Sequence, residues 1–433
     1  MLRFDGSRLR NLIAWTAAPA WLICALLATA PVSAQVADPA SAAAAAATAA
    51  VQAGPDRDRV QLNQRVFDRV WNEVRTEYYD PTLNGVDWRA ARAAWRPRAL
   101  AARDDRELYR ALDQMLDLLD DQHAAASSPA VVRRRETQRT RRPVIGVTVA
   151  RQDSGDYRVE VVRPGSPAAE AGVGLGWMLR VIDGGWSPEQ DVVEGEPVHL
   201  VLRDEAGQVR DVTVNPRVMD PIPAFSADRS RPGVLVLRVE GFELGLGPWI
   251  GQQLADLPAD VDVVLDLRNN PGGRLAEAEA VLACFLPARQ AWAVRTNRSG
   301  RRETLSTDAP CGDLTAPVPN EVAVLVNGAS RSSAELTPAA LQEARRALIV
   351  GERTGGAVLI SRDTELPDGG SLTLSRADFV TTGGVRLEKQ GVTPDLTVAL
   401  TADDRRAGRD PILDAAIAAL AGPVEAVAAT TPN

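Results

Sequence analysis

A strand-like run, Val322–Val326, leads into Asn327-Gly328-Ala329-Ser330-Arg331-Ser332-Ser333-Ala334-Glu335, after which a helical pattern continues to about Arg346. A serine at a strand-to-helix turn sits where the helix dipole and its free N–H groups can stabilise an alkoxide or an oxyanion. Read alone, the same serines serve equally well as helix caps. A second apolar run, Val263–Leu267, enters Arg268-Asn269-Asn270-Pro271-Gly272-Gly273. Glycine lets backbone N–H groups approach a ligand oxygen closely, which suits a phosphate cradle or half of an oxyanion hole. The Gly-Lys-Ser/Thr that would complete a P-loop does not follow. A histidine, His123, closes the segment Asp120-Asp121-Gln122-His123 at a helix end. Its ordinary pKa of about 6.5 suits a general base at neutral pH, although an exposed histidine favoured by a helix C-terminus is the plainer reading. A nucleophile, backbone donors and a base together would perform acyl transfer.

The composition narrows the alternatives. The chain has 433 residues, 45% hydrophobic and 24% charged, enough apolar material for two or three cores. A net charge of −8 argues against a general nucleic-acid binder. Among the 49 basic residues the only lysine is Lys389, and the only histidines are His123 and His199. A catalytic lysine therefore has one candidate, and a zinc site built from several His and Cys residues is close to excluded. No metal or organic cofactor is implied.

Along the chain, Arg3, Arg8 and Arg10 precede the apolar stretch Leu12–Ala30 and the small-residue site Val32-Ser33-Ala34. This reads as an export signal over 1–34 cleaved after Ala34, with an uncleaved anchor as the other reading. An Ala-rich tether covers 35–56. Phe67, Trp71, Val74 and Tyr78 recur at helical spacing, a second helix runs near Trp88–Ala102, and a third capped at Asp104/Asp105 carries Leu108, Leu112, Met115 and Leu119. These make a helical domain over 57–129, followed by a solvated linker at Arg133–Arg142. Short β-rich runs over 143–216 enclose Pro164-Gly165-Ser166-Pro167, and strands alternate with helices over 217–400. A helix at Pro411–Ala421 lies in the terminal segment 401–433. Loss of the signal leaves Cys284 and Cys311, which in an oxidising compartment are expected to form a disulfide.

Taken together, the motifs resemble the carboxy-terminal processing (tail-specific) family of serine proteases. They occur in family order over about 57–420: Leu119-x-Asp121-x-His123, Gly165-Ser166-Pro167-Ala168-x-x-Ala171-Gly172, Asp266-Leu267-Arg268-x-Asn270-Pro271-Gly272-Gly273, Ser332-x-x-Glu335, Gly351-Glu352-x-Thr354-x-Gly356, Leu366-Pro367-Asp368-Gly369 and Glu388-x-x-Gly391-Val392-x-Pro394-Asp395. The resemblance implies a mixed α/β multidomain fold: the N-terminal helical domain, a PDZ-like domain at 143–216, and a crotonase- or Clp-like spiral core at 217–400. It implies Ser332 as nucleophile and the N–H groups of Gly272 and Ser333 as oxyanion donors.

Bacterial members with a Ser-Lys dyad carry lysine directly after the Gly-Glu-x-Thr-x-Gly segment, where this chain has Ala357. The sequence is instead similar to the tricorn-like and retinoid-binding-protein-like branch, with Thr354-Gly355-Gly356 and a histidine base, here His123. Glu388 matches the glutamate of the tricorn-like tetrad, and Asp121 is a second candidate to orient the base. Two departures stand out. Gln122 occupies the position of a serine before the histidine, and Gly176-Trp177 replaces the usual Gly-Asp of the PDZ-like domain, whose groove helix is confined to Pro188–Val193. No role falls to His199. The implied activity is a periplasmic serine endopeptidase acting on unfolded or extended protein, without nucleic-acid partners. The alternative is a catalytically silent envelope protein of the same fold that binds peptides.

Overall fold

The computed structural model describes residues 56–137, 140–151, 156–180, 192–401, 403–404 and 407–422. The expected signal (1–34) and almost all of the tether, as well as residues 188–191 of the expected groove helix, lie outside the described residues.

Three helices open the described chain: α1 (Arg57–Glu77), α2 (Trp88–Leu100) and α3 (Asp105–Leu116). Each begins on an aspartate whose side chain accepts a first-turn N–H: Asp56 from Arg59, Asp87 from Arg89 and Ala90, and Asp104 from Glu107. Val66, Phe67, Val70 and Val74 of α1 meet Leu108, Leu112, Met115 and Leu116 of α3 in one core. That core also takes in Leu366, Leu372 and Leu374, which lie some 250 residues further along the chain. After a turn, β1 (Ala125–Ser127) pairs antiparallel with the long strand β17 (Ser371–Thr381). The arginine-rich stretch expected as a linker is partly helical: α4 spans Pro129–Thr137. Pro129 at its first position and good helix formers behind it outweigh the charge run.

The next unit is a five-stranded antiparallel sheet in order β3 (Val147–Arg151), β4 (Tyr157–Val162), β5 (Met178–Arg180), β6 (Val198–Arg203) and β7 (Val209–Val214). A short helix, α5 (Pro167–Glu170), is capped by Ser166, whose Oγ accepts the N–H of Ala169 at 3.3 Å. The unit has its own core of Ile145, Val159, Leu179, Leu200 and Leu202. The antiparallel ribbon of β2 (Arg142–Val144) and β8 (Arg217–Met219) pairs the chain entering this unit with the chain leaving it.

The last unit holds a six-stranded sheet in order β18-β15-β14-β11-β10-β9. Strands β10 (Val234–Val239), β11 (Asp262–Asp266), β14 (Val322–Val326), β15 (Leu348–Gly351) and β18 (Leu396–Thr397) run parallel, while β9 (Phe225–Asp228) is antiparallel. Its central strands are near-continuous apolar runs because helices cover both faces. On one face α6 (Leu246–Leu254), α7 (Leu275–Ala283) and α8 (Ser333–Glu343) share the largest core; on the other α9 (Pro411–Ala421) packs Ile412 and Ala416. A disulfide joins Cys284 and Cys311 within that largest core. Closing a separation of 27 residues contributes about 3.5 kcal/mol in the chain-entropy account. A second sheet joins β1, β16 (Ile360–Glu365), β17, β12 (Ala291–Asn297) and β13 (Arg302–Ser306).

The arginine of the Asp266-Leu267-Arg268 motif clamps the C-terminal helix. Its guanidinium, one-tenth exposed, donates to Asp266 at 2.7 Å and to Asp410, the residue capping α9, at 2.7 and 2.8 Å. Burial opposes its charge, but hydrogen bonds to Asp266 and Asp410 outweigh this and hold the guanidinium above its ordinary value. Arg268→Met leaves Asp266 buried and unpaired. It should cost about 3–5 kcal/mol in urea unfolding, and a loss below about 1 kcal/mol would show that the clamp contributes nothing.

Candidate active site

Parallel strands deliver the candidate site at their C-terminal ends, where an α/β sheet presents its loops. After β14, Ser330 Oγ donates to Leu267 O at 2.8 Å and so ties the two Gly/Ser-rich turns together. Arg331 N–H donates to Asn270 O at 3.0 Å and strengthens the same tie. Ser332 then takes φ = +53°, a left-handed region that costs a non-glycine residue on the order of 1–3 kcal/mol. Residue type alone does not announce this strain, because serine is not a residue expected there. The turn presents Ser332, half-buried, at the start of α8.

Glu335 holds that turn in place. Although fully buried, its carboxylate accepts four donors: Thr354 Oγ1 at 2.5 Å, Gly356 N–H at 2.7 Å, Ala357 N–H at 2.9 Å and Ser332 N–H at 3.1 Å. Ser332 N–H also donates to Ala357 O at 2.8 Å, and Thr354 Oγ1 accepts Val392 N–H at 2.7 Å. Burial pushes the Glu335 carboxyl above its ordinary value, against the donors that favour its charged form. The sequence marked Glu335 only as a motif position; its role depends on a loop about twenty residues away, which no local spacing reveals.

The glycine turn packs directly behind the serine. Gly272 has φ = +95°, and a Cβ there would lie 2.6 Å from the Cβ of Ser332 and 3.0 Å from the amide nitrogen of Ser333. Only glycine fits this approach. The N–H groups differ from the sequence expectation in one respect. Gly272 N–H donates to Asn270 Oδ1 at 2.8 Å, whereas those of Ser333 and Gly273 have no acceptor among the described residues. Asn270 is itself held by its Nδ2 donating to Val239 O at 2.8 Å.

His123 arrives from the helical unit. It follows the short 3-10 turn Asp117–Leu119, and the pairing of β1 with β17 anchors the chain just beyond it. Its N–H donates to Asp121 Oδ1 at 2.8 Å, and its Nδ1 stands 3.8 Å from the same oxygen. Gln122 Oε1 accepts Arg331 Nη1 at 2.8 Å, which places the residues beside His123 and Ser332 in contact. No hydrogen bond joins His123 to Ser332 among the described residues. Burial lowers the His123 pKa from its ordinary 6.5; the Asp121 charge opposes this and the Arg331 charge adds to it.

Glu388 is buried and accepts Val358 N–H at 2.9 Å through Oε2. Burial raises its carboxyl, and the neighbouring Asp121 charge raises it further. His123 Nδ1, Asp121 Oδ2 and Glu388 Oε1 are all buried without a hydrogen-bond partner among the described residues. Tyr78, read from the sequence as part of a helix stripe, is fully buried near this group, and burial and Asp121 push its hydroxyl upward. Lys389 N–H donates to Gly356 O at 2.7 Å, while its exposed Nζ is turned to Asp120. His199 is exposed on β6 beside Thr213. Among the described residues no cluster of His, Cys, Asp and Glu could hold a metal ion.

A left-handed serine at a helix start, a glycine turn packed behind it and a half-buried histidine near its neighbouring Arg331 are the parts a serine hydrolase of α/β type requires. The comparisons agree. Residues 233–398 match the peptidase family S41 description, and residues 61–117 match the tricorn protease C1 domain. The carboxyl-terminal-processing protease of Picosynechococcus sp. is 31% identical over 361 residues, covering 77% of this chain and 83% of that protein. The carboxy-terminal-processing protease of Bartonella bacilliformis is 30% identical, covering 72% of this chain and 74% of that protein. Tricorn protease homolog 1 of Streptomyces coelicolor is 29% identical over 85% of this chain but only 36% of its own length. Among solved structures, the photosystem II D1 C-terminal processing protease superposes with a TM-score of 0.57 at 24% identity, covering 79% of this chain and 95% of that one. The chain belongs to peptidase family S41, the serine-type carboxyl-terminal-processing proteases.

Proposed function

We propose that the protein is an exported endopeptidase that cleaves unfolded or extended proteins through a Ser332–His123 acyl-enzyme mechanism. The observation that carries this reading is the strained Ser332 turn, held by Glu335 beside donors left free at Ser333 and Gly273. His123 removes the Ser332 proton, Ser332 Oγ attacks the peptide carbonyl, and the protonated histidine passes its proton to the leaving amine. Ser333 N–H receives the oxyanion; Gly272 N–H joins it by giving up Asn270, or Gly273 N–H serves in its place. Asp121 and Glu388 stabilise the imidazolium. For this the histidine ring swings so that Nδ1 donates to one of these carboxylates while Nε2 reaches Ser332. Labelling by a fluorophosphonate tests the reading: modification of Ser332 in the wild type, abolished by Ser332→Ala, supports it, and absence of labelling sinks it.

Export is supported by the Arg-flanked apolar stretch ending in Val32-Ser33-Ala34 and by the Cys284–Cys311 bridge, which suits an oxidising compartment such as the periplasm. No described helix is long and apolar enough to cross a membrane. An N-terminal sequence beginning at Gln35 in protein recovered from the cell envelope checks the cleavage.

The lowered His123 pKa sets a pH dependence. A base whose neutral form is favoured stays active to lower pH, so the acidic limb of kcat/KM should lie below 6.5. Removing the positive charge with Arg331→Gln should move that limb upward, and Asp121→Asn should move it further down. Identical limbs in all three proteins would assign the titration to another group.

A further inference from the structure

The loop that carries the histidine is tied down at both ends. Asn84 Nδ2 donates to Leu119 O at 2.7 Å on one side, and β1 begins its pairing with β17 at Ala125 on the other. Between them, exposed and enclosed residues alternate. Asp120 and Gln122 are exposed, Asp121 is buried, and the His123 side chain is 13% exposed. The two exposed residues make the only side-chain hydrogen bonds from 120–123 to the last unit among the described residues: Gln122 to Arg331, and Asp120 to Lys389 Nζ. Each partner is the direct neighbour of a residue the mechanism uses, Arg331 of Ser332 and Lys389 of Glu388. Lys389 stands on a firm base. Its N–H donates to Gly356 O at 2.7 Å, and Gly356 N–H donates in turn to Glu335, which also accepts the Ser332 N–H. Asp120 and Lys389 both have left-handed backbone, with φ = +51° and +63°. That conformation is strained for a residue with a Cβ, and in an exposed turn glycine would relieve it. Here the one lysine of the chain stands instead, with its Nζ on Asp120. An exposed ion pair adds little to stability, so stability is a poor account of this strain.

The geometry points to Lys389 as a positioning residue: through Asp120 it docks the 120–123 loop on the last unit and sets where Asp121 and His123 stand relative to Glu388 and Ser332. The inference deepens the endopeptidase reading and rests on it. Lys389 is not itself the base, since among the described residues its Nζ hydrogen-bonds to Asp120 and to neither Ser332 nor His123. A small displacement of a base costs rate steeply, because proton transfer needs hydrogen-bond reach. The Gln122–Arg331 contact holds the loop at a second point, so loss of the Lys389 pair loosens the loop without releasing it.

Kinetics and histidine titration of the full chain test it. Lys389→Gly removes the side chain and suits φ = +63°, so its thermal midpoint should not fall below that of the wild type. Its kcat for a permanently unfolded protein should still fall about tenfold, with KM within about twofold, and Lys389→Arg should recover most of the loss. Asp120→Asn should match Lys389→Gly, and the double variant should be no worse than either. Because the chain has two histidines, carbon-13 labelling resolves His123 from His199, with His199→Gln identifying the second signal. A loosened loop admits water and weakens the burial that lowers the His123 pKa. That pKa should therefore rise towards 6.5 in Lys389→Gly and return in Lys389→Arg. Wild-type kcat together with an unmoved His123 titration in Lys389→Gly overturns the inference alone. So does Lys389→Arg behaving like Lys389→Gly, or a double variant whose loss is the product of the two single losses. If the wild type neither cleaves nor takes fluorophosphonate, a titration shift in Lys389→Gly that Lys389→Arg reverses keeps the positioning role and overturns the endopeptidase reading.

Discussion

Ser332→Ala lowers kcat for a permanently unfolded protein by on the order of 10⁴–10⁶-fold, and His123→Ala falls in the same range. Nucleophile and base act as a unit, so the double variant is no worse than either single one. Both substitutions leave the thermal midpoint within a few degrees of the wild type, since Ser332 is half-buried and His123 lacks a side-chain hydrogen bond among the described residues. Quantification of cleaved fragments over hours, with melting curves in parallel, separates lost chemistry from lost folding. More than a tenth of wild-type turnover in either variant would remove that residue from the mechanism.

Glu335→Gln should act at a distance from the substrate. The amide replaces an acceptor oxygen by a donor, so two of the four donors now held by the carboxylate lose their partner or face another donor. Each buried donor left unsatisfied costs about 1–3 kcal/mol, and the total should appear as a lower urea midpoint. The more telling result is kinetic. The left-handed Ser332 and the Ser333 N–H are no longer held in place, so kcat should fall about 10²–10³-fold while KM changes little. A variant that loses stability but keeps kcat would make Glu335 a structural residue only.

The motifs were legible because the proposed chemistry needs residue types that have few substitutes. The glycines at 272 and 273, the serine-to-glutamate spacing at 332 and 335 and the histidine at 123 all announce themselves in a chain with two histidines and one lysine. The alternation of apolar strands and helices after residue 217 was legible for the same reason: a buried parallel sheet admits few other residue types. What stayed hidden was whatever depends on distant chain. The four donors of Glu335, the left-handed turn at Ser332 and the capture of Gly272 N–H by Asn270 arise only when separate loops meet. β16 was hidden in another way, since Arg362 and Asp363 read as loop residues when strand is assigned from composition. The helix at Pro129–Thr137 was masked by its arginines, which suggested a solvated linker.

The eleven-residue strand β17 has a consequence for how the protein can be taken apart. Leu372 and Leu374 near its start belong to the core of the N-terminal helices, whereas Phe379 near its end belongs to the core beneath the parallel sheet. One continuous beam is thus built into two foundations. The helical segment is not a detachable module in the engineering sense: excising it strips the wall from a buried strand as well as removing the histidine. A fragment beginning at residue 217 would expose an apolar face and lack His123, so recombination or truncation must respect a boundary that lies inside a strand and not between domains.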